Sequence, residues 1–152
     1  MVITCSDTRT PETDTSGQLI MRLLKEHGHG VAAYHLIKDE PGEIRAKIEE
    51  AAGNPAIQVV IIDGGTGISK RDSTFEAVNG MLEKRLDGFG EIFRYLTYLD
   101  IGSSAIMSRA TAGIYRGRVV LSTPGSEGAV RLAMEKLILP ELGHMVKEAA
   151  KS

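Results

Sequence analysis

Several things are scarce in this 152-residue chain, and each scarcity excludes a class of protein. A single cysteine, Cys5, rules out an internal disulfide and a cysteine-rich metal site. Tryptophan is absent and aromatic residues make up only 5%, so a core must be aliphatic. No apolar run approaches the roughly 20 residues that span a bilayer. The N-terminus lacks the basic and apolar regions of a secretory signal. Basic residues are not in excess: 18 Lys and Arg stand against 20 Asp and Glu, a net charge of -2. That balance speaks against a nucleic-acid partner, which usually calls for a basic face. These absences predict a cytoplasmic protein with no nucleic acid and no membrane among its partners.

Two nucleotide-binding signatures are also missing. The Walker A spacing is not found, and no G-x-G-x-x-G follows the first strand. His27, His29, His35 and His144 show no metal-ligand spacing, and no Ser/His/Asp motif stands out. Cys5 reads as a small core residue rather than a nucleophile.

What is present is the material of one ordinary domain over residues 1–152, with 42% hydrophobic residues. Apolar, β-branched runs predict strands over residues 2–5, 31–37, 58–62 and 119–122. The third is continuous and β-branched, as a central parallel strand should be. A strand so near the first residue implies a trimmed chain or an unusually short native start. Leu19, Ile20, Leu23 and Leu24 recur at helical spacing, with Thr13 to Ser16 as candidate caps. Pro41 opens a second helix with Ile44, Ile48 and Ala52 inward. Ser73 to Glu76 match a capping box, which predicts a helix running towards Leu86. Residues 89–113 read mostly as helix. A last helix carries Ala129, Val130, Ala133 and Leu137, and Pro140 ends or kinks it.

Alternating strands and helices call for a mostly parallel sheet covered on both faces. Ligands of such sheets bind beyond the carboxyl ends of the strands. Ser6-Asp7, the loop from Asp63 to Ser73, and Thr123 to Ser126 all follow strands. Spacing alone therefore predicts one site assembled from distant segments.

Gly64-Gly65-Thr66-Gly67 is the principal candidate within that site. Glycines permit positive φ and close approach, and successive N–H groups there form an anion-binding nest. Thr66 adds a hydroxyl donor. A plain structural turn is the competing reading. Lys70 and Arg71 supply cations suited to polyphosphate. Asp72 either starts a helix or ligates a divalent ion. Asp39 likewise either caps the helix at Pro41 or joins Asp72 at a metal. Pro124-Gly125-Ser126 offers a hydroxyl and free N–H groups at a helix start, or is merely a capped turn. Ser6 and Asp7 are ligand contacts or simple loop residues.

Longer matches add a family. Asp63-Gly64-Gly65-Thr66-Gly67 with Arg71-Asp72-Ser73-Thr74-Phe75-Glu76-Ala77 resembles the T-G-G-T-G…R-D-x-T-x-E-A signature of the MoaB/MogA molybdenum cofactor biosynthesis proteins. Ser6-Asp7, Gly88 to Glu91, Ser108 to Ala110, Pro124 to Ser126 and Leu139 to His144 match further family blocks, the last resembling the MoaB branch. The resemblance implies a three-layer α/β/α, Rossmann-like fold. It implies molybdopterin binding and transfer of AMP from ATP to the terminal phosphate of molybdopterin, with Mg²⁺ and release of pyrophosphate. A non-catalytic molybdopterin carrier is the alternative. Asp39 and Asp72 match the family's catalytic, metal-holding aspartates. Gly64, Gly65, Thr66 and Gly67 match its phosphate cradle, together with Arg71 and Ser73. Ser126, with Pro124 and Gly125, matches the loop near the pterin phosphate, and Glu91 and Arg109 match residues at the pocket rim. Self-association as a trimer or hexamer is implied too. One residue departs from the signature. Asp63 stands in place of its first threonine, where a carboxylate either repels an anion or adds a metal ligand.

Overall fold

A computed structural model describes residues 1–151. Six strands form one sheet in the order β2-β1-β3-β6-β5-β4. The parallel part comprises β1 (Val2–Cys5), β2 (Tyr34–Ile37), β3 (Val59–Asp63) and β6 (Arg118–Thr123). The antiparallel edge comprises β4 (Lys84–Arg85) and β5 (Thr111–Tyr115), with β5 paired to both β4 and β6.

Because side chains alternate along a strand, each central strand feeds two cores. Val2, Ile61, Val119 and Leu121 point to one face, where they meet α1 (Thr15–Glu26), α4 (Asp87–Ile101) and α5 (Glu127–Ala133). Ile3, Val60, Ile62 and Val120 point to the other, where they meet α2 (Pro41–Ala52) and α3 (Thr74–Asn79). The result is three layers, as expected of strands that are apolar throughout. A 3₁₀ turn (Gly102–Met107) follows α4, and α6 (Leu139–Ala149) closes the chain. Among the described residues no helix is long and apolar enough to cross a membrane.

Several elements differ from expectation. Residues 111–115 form a strand rather than helix. Their β character is hidden in sequence because Ala112 and Gly113 carry little side chain. Gly113 is required there: a Cβ on it would lie 2.2 Å from the Lys84 carbonyl oxygen on β4. The turn into β6 has positive φ at Arg116 (47°) and Gly117 (79°), the primed geometry favoured in two-residue hairpins. The helix that starts after Ser73 stops at Asn79, with Gly80 as its C-cap, instead of reaching Leu86. The second strand begins at Tyr34 rather than at residue 31. Pro140 does not end its helix: a π turn over Met134–Ile138 precedes it, and α6 carries on.

The registers matter most for function. Thr4 sits opposite Asp63, and Asp63 opposite Thr123. The ends of β1, β3 and β6 are thus level, and their loops emerge side by side.

Candidate active site at the strand ends

The loop after β3 is shaped by contacts that only glycine allows. Gly64 has φ 100° and Gly65 has φ 69°. A Cβ on Gly64 would fall 2.2 Å from the Cys5 carbonyl oxygen. One on Gly65 would fall 2.1 Å from Thr74 Oγ1 and 2.6 Å from Asp39 Oδ2, and one on Gly67 would fall 2.7 Å from Asp72 Oδ2. The three glycines therefore let the loop backbone press against β1 and against both aspartates. Gly64 N–H donates to the Thr123 carbonyl at 3.0 Å, so the β3–β6 ladder continues into the loop.

The loop after β6 meets the first directly. A Cβ on Gly125 would lie 3.2 Å from Gly64 Cα. Ser126 caps α5, its Oγ accepting from Ala129 N–H at 3.2 Å. Between the two loops opens a pocket of about 320 Å³. Gly65, Thr66, Gly67 and Asp72 form one wall, and Pro124, Gly125, Ser126 and Ala129 a second. Phe93, Thr97 and Ile101 of α4, with Ser104, Ala105 and Met107 of the 3₁₀ turn and Ser108 just after it, form a third and largely apolar wall. Polar loop backbone on two sides and an apolar face on the third suit a flat organic ring that carries phosphate.

Comparison with known proteins gives the family of the chain. The family described as "Probable molybdopterin binding domain" matches residues 1–144. The chain is 54% identical to Molybdenum cofactor biosynthesis protein B of Bacillus subtilis (strain 168) over 151 residues, 99% of this chain and 89% of that one. It superposes on a crystal structure of a Molybdenum cofactor biosynthesis protein B with TM-score 0.96 and 53% identity, covering 99% of this chain and 94% of the other. It also superposes on the tungsten cofactor synthesizing protein MoaB from Pyrococcus furiosus, with TM-score 0.87 and 38% identity, covering 99% and 95%. The chain belongs to the MoaB/MogA family, on its MoaB branch.

Set against the MoaB signature, the candidate residues fall into four groups. Gly65, Thr66, Gly67, Asp72, Pro124, Gly125 and Ser126 line the pocket, and Gly64 lies just behind it. Asp39 and Ser73 support the loop from beneath. Ser73 Oγ donates to Asp39 Oδ1 at 2.8 Å and makes no cap for α3, contrary to the capping-box reading. Asp72 Oδ2 accepts from Ser69 N–H at 3.0 Å and Ser69 Oγ at 2.7 Å, tightening the same loop.

The third group is charged, and its charges are already paired. Arg71 donates to both carboxylate oxygens of Asp7 at 2.9 Å and to Glu40 at 2.8 Å. Those bonds hold the Asp7 carboxyl below the usual carboxylate range. Asp7 also accepts from Asp39 N–H at 3.2 Å, while Ser6 Oγ accepts from the N–H groups of Thr8 and Arg9. Arg109 lies behind the loop rather than on the rim. It donates to the carbonyls of Gly67 (2.9 Å) and Asp72 (3.1 Å), pairs with Glu76 and stacks over Phe75. The fourth group is one residue: Glu91, which is exposed on α4 outside the pocket wall. Helical spacing explains this, because the inward stripe of α4 runs Phe93, Thr97, Ile101, and a residue two positions before Phe93 points elsewhere.

Asp63 needs a larger revision. Expected beside an anion or a metal, it is instead turned by alternation along β3 to the same side as Ile61, under α1. It is fully buried. Thr4 Oγ1 donates to it at 2.7 Å, and Arg9 approaches at 3.5 Å. It neither faces a bound anion nor reaches a metal in the pocket. Burial raises its carboxyl to about 7, with the neighbouring Asp14 adding to the rise. Burial also pushes the Cys5 thiol up to about 12, which leaves no thiolate near neutrality. Arg9 and the α4 stripe carry no sequence expectation, and Asp14 and Ser16 only that of candidate caps, a role Asp14 fills by accepting from Gly17 N–H at 3.0 Å. The stripe has a readable signal in its spacing of four, whereas the bond from Arg9 to the Gly125 carbonyl joins segments 116 residues apart.

The raised Asp63 value has a measurable consequence. Between its ordinary 3.8 and about 7, the folded protein binds this proton and the unfolded chain does not. The stability it lends is complete below the unfolded value and is lost as pH rises through the folded one. Asp63→Asn removes that dependence. Urea unfolding across pH is expected to show the variant gaining on the wild type by up to ~4 kcal/mol as pH rises over this interval. A pH-independent difference would mean that Asp63 is ionised throughout.

Proposed function

We propose that this chain acts in molybdenum cofactor biosynthesis as a molybdopterin adenylyltransferase. The observation that carries the reading is the contact between the Gly64 and Gly125 loops, which makes two phosphate-type backbone turns into one pocket with an apolar wall. One loop cradles the nucleotide phosphates and the other the molybdopterin phosphate, while the pterin lies against α4 and the 3₁₀ turn.

In the reaction, an oxygen of the molybdopterin terminal phosphate attacks the α-phosphorus of ATP. A new phosphoanhydride bond forms, the bond from the α-phosphorus to the bridging oxygen breaks, and pyrophosphate departs. The attacking oxygen is already anionic, so no general base is required. The protein's contribution is alignment of the two phosphates and stabilisation of charge by loop N–H groups and Thr66 Oγ.

Mg²⁺ fits the residues at hand. Asp72 lines the pocket and Asp39 lies buried beneath the same loop, and Oδ2 of Asp39 and Oδ1 of Asp72 accept no hydrogen bond among the described residues. No cluster of three or more ligating side chains occurs among those residues. A two-carboxylate set is what Mg²⁺ uses when phosphates and water complete its shell. When bound, the ion would offset the charge of the ATP phosphates. Asp72→Asn keeps an acceptor for Ser69 but removes the anionic ligand. Incubation with molybdopterin, ATP and Mg²⁺, followed by chromatography for adenylated pterin and pyrophosphate, is expected to show product for the wild type. The variant should fall by about a hundredfold or more while keeping its melting temperature. Full turnover by the variant would remove Asp72 from the mechanism.

A second reading is a molybdopterin carrier without turnover. Its support is that Arg71 and Arg109 are committed to carboxylates and carbonyls rather than left for a polyphosphate, so that of the loop's cations only Lys70 stands without an ion pair among the described residues. Tight molybdopterin binding without product in the same assay would favour it.

Self-association belongs with the proposal. Ile92, Tyr95, Tyr98, Leu99, Ile101 and Ile106 are exposed along α4 and the 3₁₀ turn, an apolar face that a second copy would cover. Light scattering is expected to give the mass of a trimer or a hexamer, and Leu99→Asp to lower it. A monomeric wild type would contradict this part of the reading.

A further inference from the structure

Directly beneath the two loops lies a set of buried charges that the reaction above does not use. Asp14 and Asp63 are both fully buried. One guanidinium serves both: Arg9 Nη1 lies 3.5 Å from Asp14 Oδ1 and 3.5 Å from Asp63 Oδ1. Its other terminal nitrogen, Nη2, donates to the Gly125 carbonyl at 2.8 Å. Ser16 Oγ donates to that same carbonyl at 2.6 Å. Both carboxylates accept further hydrogen bonds. Thr4 Oγ1 donates to Asp63 at 2.7 Å, and Tyr34 Oη and Gly17 N–H donate to Asp14 at 2.5 and 3.0 Å.

We propose that Arg9 is a positioning residue for the phosphoryl site, a clamp that fixes the Gly125–Ser126 loop against the Gly64–Gly65 loop from below. The proposal rests on reading the pocket as a phosphoryl site. Arg9 does not line the pocket, so it acts through the Gly125 carbonyl and not by touching ligand. The geometry requires arginine. A planar fork can hold a carbonyl on one nitrogen and carboxylates on another, whereas a lysine ammonium cannot span them in one fixed shape. Asp14 and Asp63 hold the fork still. Two carboxylates on one guanidinium would leave an uncompensated buried charge, and a proton retained on Asp63 removes it. Asp63, in place of the signature threonine, is thereby given a role: it is the far anchor of the clamp. The Gly125 carbonyl has two lone pairs, and Arg9 and Ser16 use both. That leaves its peptide with one orientation, and the N–H of Ser126, the next donor at the pocket, is fixed with it.

The test uses the full chain with two variants. Arg9→Gln breaks the charged clamp. Ser16→Ala removes only the second bond to the Gly125 carbonyl and leaves every buried charge in place, so it remains informative if Arg9→Gln folds poorly. Hydrogen–deuterium exchange without ligand is expected to quicken about tenfold for amides 125–129 in each variant, with α2 and β3 unchanged. Molybdopterin Kd should rise about tenfold for Arg9→Gln, in keeping with loss of one charge-assisted hydrogen bond, and less for Ser16→Ala, which loses a neutral one. Arg9→Lys should recover only part of the affinity. Unchanged exchange at 125–129, or a uniform rise over the whole chain, would overturn the proposal. If the wild type bound no molybdopterin, the functional reading would fail, and the exchange pattern would still decide whether the clamp exists.

Discussion

Everything at the strand-end edge depends on how near three backbone segments come to one another. β1, β3 and β6 finish level, and the chain leaving β3 must pass the Cys5 carbonyl and the Gly125 loop with no side chain between them. Gly64 meets both demands, at a positive φ that other residues adopt only with strain. A single Cβ there would separate the loops. The meeting of the two pocket walls and the ladder bond from Gly64 to Thr123 follow from that spacing, and Gly65 and Gly67 admit Asp39 and Asp72 in the same way.

Charge in the site divides between scaffold and ligand. Arg71, Arg109 and Arg9 are each held by carboxylates or carbonyls of the chain itself. What remains for a bound anion is the exposed ammonium of Lys70 together with backbone N–H and hydroxyl groups at the two loops, the latter fixed in place before ligand arrives. Preorganised neutral donors of this kind stabilise developing phosphoryl charge without having to reorganise. The same economy explains why Asp63 does no harm to an anion nearby: it is turned inward, hydrogen-bonded and inclined to keep its proton.

The parts of the fold legible in sequence were those with a strong physical signature. The β-branched run ending at Ile62 announces a central strand, and the alternation of strands and helices announces a layered parallel sheet with one loop-bearing edge. The glycine cluster and Ser126 could be located because each follows a strand. β5 was not legible, because Thr111-Ala112-Gly113 lacks β-branched alternation and is held in the sheet by its neighbours β4 and β6. The direction of Asp63 and the reach of Arg9 were not legible either. The first depends on strand parity at a residue taken for loop, and the second on contacts across 116 residues of sequence. The pocket's third wall escaped because α4 had to be docked on the sheet before Phe93, Thr97 and Ile101 shared a target.

The central claim is that the two loops form one phosphate-binding unit rather than two independent turns. Titration of the protein with Mg²⁺ and pyrophosphate, followed by backbone amide chemical shifts, tests it most directly. The account predicts that amides of Gly64, Gly65, Thr66 and Gly67 shift together with those of Gly125 and Ser126, along one saturation curve. Shifts confined to one loop, or different midpoints for the two, would contradict it.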